Sequence, residues 1–455
     1  MSDTIAAIAT PLIPSAIGII RLSGPESITV LDRVFTPAHG APMSERPDRT
    51  LVYGALHDEE GRVIDHCLAT LSRAPHSYTG EHTAELQCHG SPTALTMGLE
   101  ALFAAGARQA RAGEFTRRAF LSGKLDLTRT EAVADLIHAE TPAAVHQAAG
   151  QLGGALERAI GSIYDSLTDL MAHFHAVLDY PDEDIEPFEA AEISSALTAA
   201  GRELDALSAT YQRGRALVEG IPCAIIGRPN AGKSTLFNAL LGYDRAIVTP
   251  IAGTTRDTVE ERLNLGGILL RLIDTAGLRD TEDQVERLGV ERSRSALKQA
   301  ELVLAVVDSR QALSAEDEEI LNLALTAPHC IIIDNKADLP GEARTLPVPT
   351  DTPVVRLSAL TGDGLDELEL AIEKLFPNDT GLRPGSLLTN ARQAEAASRA
   401  GQCVNRAAAA LSAGLSPDAV LSDVEEALDA LGELTGRLVR EDITARIFER
   451  FCVGK

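Results

Sequence analysis

The chain has 455 residues, 45% of them hydrophobic and 24% charged, which is apolar mass for about three ordinary domains. With 41 basic against 66 acidic residues the net charge is −25, which excludes a protein that coats nucleic acid through a general positive field. Six cysteines without a C-x-x-C pair exclude a disulfide framework or a zinc ribbon. The longest clean apolar run, Leu302 to Val307, falls far short of the ~20 residues that span a bilayer.

The opening "MSDTIAAIATPLIPSA" lacks the basic segment and long apolar core of a signal peptide, so a cytoplasmic protein is expected. Up to about residue 118 the pattern is mixed α/β. "AIGIIRLSG" and "CLATLSR" read as strands, "DEEG" (58–61) as a hairpin turn, and "SPTALTMGLEALFAAG" as a helix capped by Ser91 and stopped at Gly106. From 119 to 219 Ala, Leu and Glu at helical spacing dominate, interrupted by the acidic loop "DYPDEDIEP", and the same texture returns from 378 to 455. Between them, residues 220–377 alternate strand, turn and helix as a parallel sheet does. The expected fold is therefore multidomain α/β plus all-α, an N-terminal α/β domain followed by a helical domain into which a Ras-like, doubly wound P-loop domain is inserted.

Within the inserted region, "GRPNAGKS" (227–234) fits G-x-x-x-x-G-K-[ST] after an apolar strand and before a helix. The spacing has a chemical cause. Its glycines let backbone N–H groups wrap phosphates at a helix N-terminus, Lys233 reaches the β and γ phosphates, and the Ser234 hydroxyl ligates Mg²⁺. "GTTRD" (253–257) offers Thr255 as the second Mg²⁺ ligand, and "LLRLIDTAG" ends in Asp274, beside the metal, and Gly277, whose N–H senses the γ phosphate. "CIIIDNKAD" ends in Asn335, Lys336, Ala337 and Asp338, where a carboxylate accepts from guanine N1–H and the 2-amino group, donors that adenine lacks. "LSAL" brings Ser358, Ala359 and Leu360 over the base. The expected GTP contacts are Asn230, Ala231, Gly232, Lys233, Ser234 and Thr235; Thr249, Pro250, Ile251, Ala252, Gly253, Thr254 and Thr255; Asp274, Thr275, Ala276 and Gly277; Asn335 to Asp338; and Ser358 to Leu360.

Ras-type enzymes place a water-orienting Gln directly after the Gly of the D-x-x-G element. Leu278 holds that position here, so the attacking water needs another partner, and Glu286 is the first candidate. Charge compensation has two candidates. Arg256 has the chemistry of an arginine finger. Alternatively, the side-chain carbonyl of Asn230, backbone carbonyls of Thr249 and Ile251 and an oxygen of Thr254 make an oxygen-only set without a carboxylate, which suits a large monovalent cation such as K⁺.

The segments "GIIRLSG", "YTGEHTAELQCHG", "RAGEFTRRAFLSGKLDLTRTEAVADLI", "GRPNAGKSTLFNALLG", "IAGTTRD", "DTAGLR", "NKAD" and "FCVGK" together resemble the MnmE (TrmE) family of tRNA-modification GTPases from residue 1 to residue 455. The resemblance implies that residues 1–118 dimerise and bind a tetrahydrofolate such as 5-formyltetrahydrofolate. Its contacts would be Arg21, Glu85, Lys124 and the terminal Lys455, a carboxylate for the pterin and cations for the glutamate tail. It supports Glu286 as general base or water-positioner and K⁺ at Asn230, Thr249, Ile251 and Thr254, though Pro250 replaces an acidic residue frequent in the family. It also implies a cytoplasmic homodimer working with the flavoprotein MnmG (GidA) on the wobble uridine of tRNA, with no membrane involved.

The tail "FCVGK" has the outline of a prenylation box, but Lys455 is not a usual last residue and no polybasic run precedes it. The resemblance instead puts it beside the folate pocket, with the Cys452 thiol as a catalytic or site-shaping group. The rival reading, a ribosome-assembly GTPase of the Era or Der type, asks for an appended basic RNA-binding module, and the flanks are acidic or helical. A zinc site among His57, His66, His76, His82, His89, Cys67 and Cys88 is not expected, because no ligand spacing repeats.

Overall fold

The computed structural model describes residues 3–179, 190–243, 261–273, 297, 299–340, 346–377, 383–437 and 454. The chain forms two compact units, one of residues 1–137, 151–205 and 395–455, the other of 138–150 and 206–394.

The first unit opens with a seven-stranded sheet: β1 (Ile5–Ile8), β2 (Ser15–Ser23), β3 (Phe35–Pro37), β4 (Val52–His57), β5 (Val63–Ser72), β6 (Thr83–Gly90) and β7 (Arg108–Gln109). The spatial order is β3-β4-β5-β6-β2-β1-β7, and only the β1–β7 pair is parallel. Alternation sorts each strand's residues between two faces. Ile20 and Leu22 of β2 and Leu86 of β6 join Leu31, Leu95 and Leu102 from helices Ser27–Val34 and Pro92–Ala104 in one core. Ser91 caps the second of these helices, accepting from the Ala94 amide at 3.4 Å, and the chain turns out of it at Gly106 with φ +115°. The opposite face carries a smaller cluster of Ile5, Ala7, Ala110 and Phe115. The helix Glu114–Leu121 runs through residue 118, the edge expected of the N-terminal domain.

Two long helices of this unit pack along each other, Ala155–Asp179 and Pro417–Thr435. Leu156, Ile160, Ile163, Leu167 and Leu170 on one, and Val420, Val424, Ala427, Leu431 and Leu434 on the other, are all at most 4% exposed. Their alternating spacing of four and three residues is the apolar seam of a coiled coil. Both seams were present in the sequence as spacing.

In the second unit the strands β8 (Ile221–Gly227), β9 (Glu261–Leu265), β10 (Ile268–Leu272), β11 (Leu302–Asp308), β12 (His329–Asn335) and β13 (Val354–Arg356) take the order β13-β12-β11-β8-β10-β9. Every neighbouring pair is parallel except β9–β10. The central strand β11 is buried along its whole length. Its Leu302, Leu304 and Val306 join one core and its Val303, Ala305 and Val307 the other, as a doubly covered parallel sheet requires.

Segments before, between and after these strands are stitched together in the same unit. The Gln147 amide donates to Leu387 O at 3.1 Å and accepts from the Gly385 amide at 2.8 Å. Thr210 Oγ1 accepts from the Leu388 amide at 3.1 Å, and Arg262 of β9 pairs with Glu140 at 2.8 Å. Among the described residues no helix is long and apolar enough to cross a membrane.

Candidate functional site

The loop 228–232 leaves the carboxyl end of β8 and feeds the helix Lys233–Tyr243, the crevice position at which open α/β sheets bind ligands. Two residues in it have left-handed backbones, Asn230 at φ +62° and Gly232 at φ +99°. Asn tolerates that conformation better than most side chains. At 232 only glycine fits, because a Cβ would lie 2.2 Å from Asn335 Nδ2.

Lys233 folds back into the loop, its Nζ donating to Gly227 O at 2.9 Å and Arg228 O at 2.8 Å. Burial pushes its ammonium below the ordinary lysine value, and Glu316 acts against that shift. The ammonium is therefore held at the floor of the loop, poised for a stronger anionic partner. Ser234 and Thr235 are exposed in the first turn of the following helix, where N–H groups without helical partners favour anions.

The base-reading segment joins this loop directly. Asn335 is 2% exposed; its Nδ2 donates to Ala231 O at 2.9 Å and its Oδ1 accepts from the Ala359 amide at 3.0 Å. One side chain thus ties together phosphate loop, base strand and "SAL" loop. Lys336, also left-handed at φ +69°, donates from Nζ to Asn230 O at 2.6 Å and to Asp308 at 2.7 Å. Arg310 and Lys336 hold the Asp308 carboxyl well below the ordinary range. Asp338 is exposed, with Oδ1 accepting from the buried Ser358 hydroxyl at 2.6 Å, an orientation that leaves Oδ2 for a ligand. Ala337 bonds through its amide to Leu357 O at 3.1 Å, and Leu360 is 78% exposed at the rim. All the described residues expected to touch nucleotide therefore gather at one end of one sheet. Thr249 to Thr255, Arg256, Asp274 to Gly277, Leu278 and Glu286 lie outside the described residues.

Sequence reading missed Arg228 and Asp317. The Arg228 guanidinium donates from Nε to Asp317 Oδ1 at 2.6 Å, fastening the phosphate loop to the helix Ala315–Ala324. The visible signal was Ser314-x-x-Asp317, a capping pattern, and the capping box does form.

In the first unit, the residues expected to contact folate divide into near and nearby. Arg21 and Glu85 are register partners across β2 and β6 and pair at 2.8 Å on the face away from the helices. The Arg21 guanidinium stands 5.9 Å from the Tyr78 ring centroid and 5.8 Å from that of Phe115. A cation, a carboxylate and the exposed Tyr78 ring fit a planar heterocycle bearing a carboxylate tail, while Phe115 is fully buried. Lys124 lies along the same Tyr78–Gly80 turn, its Cε 3.6 Å from where a Cβ on Gly80 would stand. Gly454 is buried against Ile8 and Ala9 at the end of β1, while Cys452 and Lys455 lie outside the described residues.

The arginine-rich stretch is less available to ligands than its composition suggests. Arg118 is 9% exposed and binds Asp3, Glu81 and Glu114, and Arg108 binds Asp3 and Glu114. Arg111 and Arg117 remain exposed. Among the described residues no group of three or more His, Cys, Asp and Glu is placed to hold a metal. Cys67 and Cys88 are neighbours in the sheet core, where their mutual hydrogen bond and burial push the Cys88 thiol far up.

Two family descriptions match the chain: "GTP-binding protein TrmE N-terminus" over residues 4–124 and "MnmE helical domain" over residues 127–452. The tRNA modification GTPase MnmE of Roseiflexus sp. (strain RS-1) is 44% identical over 464 residues, covering 100% of this chain and 99% of the relative. That of Symbiobacterium thermophilum is 44% identical over 459 residues, with the same coverage of 100% and 99%. That of Heliobacterium modesticaldum is 42% identical over 466 residues and 100% of both chains. With the phosphate loop, base-reading segment and flanking α/β and helical regions in place, the chain belongs to the MnmE family.

Proposed function

We propose that this chain is the GTP-hydrolysing component that modifies carbon 5 of the wobble uridine in tRNA. The single observation that carries the nucleotide half is the Asn335 amide, which joins the loop 228–232 at Ala231 O, 2.9 Å, to the "SAL" loop at the Ala359 amide, 3.0 Å. Family membership carries the tRNA half.

In this reading Lys233 leaves the Gly227 and Arg228 carbonyls for the β and γ oxygens of GTP, exchanging neutral acceptors for charged ones. Asp338 binds the guanine edge while Ser358 fixes its rotamer. Ser234 and Thr255 would hold Mg²⁺, which supplies positive charge against the transferring phosphoryl group. The exposed Ser234 hydroxyl at the helix N-terminus fits that role. Glu286 positions the attacking water in place of the glutamine that Leu278 displaces.

Potassium would be held by Asn230, Thr249, Ile251 and Thr254 and would replace an arginine finger. In support, the exposed Asn230 has its backbone carbonyl engaged by Lys336 and its side-chain oxygen left for a cation. Hydrolysis is expected to run at least about tenfold faster in KCl than in NaCl at equal ionic strength. Asn230→Ala should erase that difference and spare GTP binding. Equal rates in the two salts sink the cation reading and favour Arg256.

The first unit would bind a tetrahydrofolate at Arg21, Glu85, Lys124 and Lys455 as the one-carbon source, with Cys452 close by, and would dimerise. The dimer would assemble with the flavoprotein MnmG on tRNA in the cytoplasm. Nucleoside mass spectrometry of tRNA from a deletion strain tests the whole reading. Loss of the C5-modified uridine, restored by the wild-type chain and not by Lys233→Ala, is the expected result. Intact modification in the deletion strain overturns it.

A further inference from the structure

The pair that sequence reading missed has a function beyond fastening two elements. We propose that Arg228 and Asp317 form a strut that sets how tightly the phosphate loop holds nucleotide, with the helix Ala315–Ala324 as its anchor. The proposal rests on the reading of this loop as the GTP site.

The Asp317 side chain is 3% exposed and both of its oxygens are committed. Oδ2 accepts from the Ser314 amide and from its hydroxyl, each at 2.9 Å, and Ser314 Oγ accepts from the Asp317 amide at 3.2 Å. The cap therefore fixes the carboxylate's orientation, and Oδ1 is left aimed at Arg228, which meets it at 2.6 Å. A helix cap alone needs no arginine: the reciprocal bonds between Ser314 and Asp317 complete the capping box.

Stability alone does not explain the pair either. Burying an ion pair costs about as much in desolvation as it returns, so such pairs are better understood as fixing geometry. The geometry fixed here is that of Arg228, and its backbone matters for chemistry. Arg228 O is one of two carbonyls holding Lys233 Nζ, at 2.8 Å, and it also accepts from the Ala231 amide at 3.3 Å. The residue whose guanidinium is clamped to the helix is thus the residue whose carbonyl positions the phosphate-binding lysine. In the nucleotide-free chain the clamp keeps the lysine at the floor of the loop. Once Lys233 has moved to the β and γ oxygens the same clamp still fixes the loop backbone at Arg228, and releasing it lets the loop amides sample geometries that no longer converge on phosphate.

The helix also brings charge of its own. Glu316 is exposed one residue before the strut and acts electrostatically on Lys233. Movement of this helix would reach the phosphate site along two routes, through the Arg228 carbonyl and through the Glu316 field.

The test uses the full-length chain with fluorescent GDP and GTP analogues, comparing wild type, Arg228→Gln, Asp317→Asn and the double variant. Asn at 317 retains an acceptor for the Ser314 amide, so the helix cap survives. Thermal melts of the nucleotide-free proteins check that each variant folds. Each single variant is expected to raise nucleotide dissociation about tenfold, and the double variant no further, because both changes remove one interaction. KM for GTP should rise with it, while kcat at saturating GTP falls by less than about threefold. Wild-type dissociation in either folded single variant overturns the strut. So do effects that multiply in the double. A folded wild-type chain that binds neither analogue overturns the nucleotide reading and the strut with it.

Discussion

The two sheets present their chemistry in different places. In the second unit the described residues proposed to touch nucleotide lie at or beyond the carboxyl ends of β8, β12 and β13, because both faces of that sheet are covered and β11 is buried throughout. In the first unit Arg21 and Glu85 stand on the face of the sheet, as a cross-strand pair between buried neighbours. A doubly covered parallel sheet has only its ends to offer, so its ligand is met by loops and helix N-termini, largely through backbone groups. An antiparallel sheet with one major core can offer side chains from its other face. Backbone sites suit phosphate, which every nucleotide shares; side-chain sites suit one particular heterocycle.

That contrast can be broken, and the largest effect is expected at the strand ends. Lys233→Ala should reduce single-turnover GTP hydrolysis by roughly 10²-fold or more, since it removes the ammonium held on the Gly227 and Arg228 carbonyls at the floor of the loop. A smaller loss would mean that the backbone cradle carries the site without the lysine. Next comes Gly232→Ala, which forces a Cβ within 2.2 Å of Asn335 Nδ2 at a backbone φ of +99°. Strain of about 2 kcal/mol predicts a roughly thirtyfold fall in GTP affinity by fluorescence titration.

On the sheet face the expected effects are smaller and separable from folding. Arg21→Ala should weaken binding of 5-formyltetrahydrofolate about tenfold by calorimetry while changing stability by less than ~1 kcal/mol, because the Arg21–Glu85 pair is only half buried. Unchanged folate affinity would remove the pair from the ligand site.

The smallest effect concerns acid. Hydrogen bonds from Arg108, together with Arg118, hold Asp3 at about 2, below its ordinary 3.8. Burial opposes the same shift at Glu114, but bonds from Arg108, the Arg111 amide and Arg118 bring it to about 2 from 4.5. Both carboxyls titrate lower in the folded chain, so their contribution is full above about pH 4.5 and is lost as pH falls toward 2. The first unit's melting temperature should drop about 3 °C across that window, and Arg108→Ala should flatten the drop.

Sequence and structure agree where chemistry dictates spacing. "GRPNAGKS" and "NKAD" stand out in the sequence because phosphate and guanine each demand particular groups at particular intervals, and the fold joins the two segments through Asn335 and Lys336. Arg21 and Glu85 are singled out by the resemblance alone, since their pairing spans 64 positions. Arg228 and Asp317 are 89 positions apart, and each had a sufficient local reading, one as a variable loop residue and the other as part of a cap. Arg118 sits in a run of basic residues that composition alone reads as a solvated helix face. Its burial follows from Asp3, Glu81 and Glu114, three acids brought around it from separate segments. Local periodicity carries no record of such convergence.

The double hydrogen bond of Gln147 has a consequence for synthesis on the ribosome. Its partners Leu387 and Gly385 follow it by 240 and 238 positions. A ribosome working at 5–20 residues per second needs roughly 12–48 seconds to make that stretch. Throughout that interval Gln147 is without its final partners, while the β8–β13 sheet between them is made in full before Gly385 is added. The inserted sheet can therefore fold while its surroundings wait, and a chain stalled before residue 385 would carry the complete β8–β13 sheet with the Gln147 amide lacking Gly385 and Leu387.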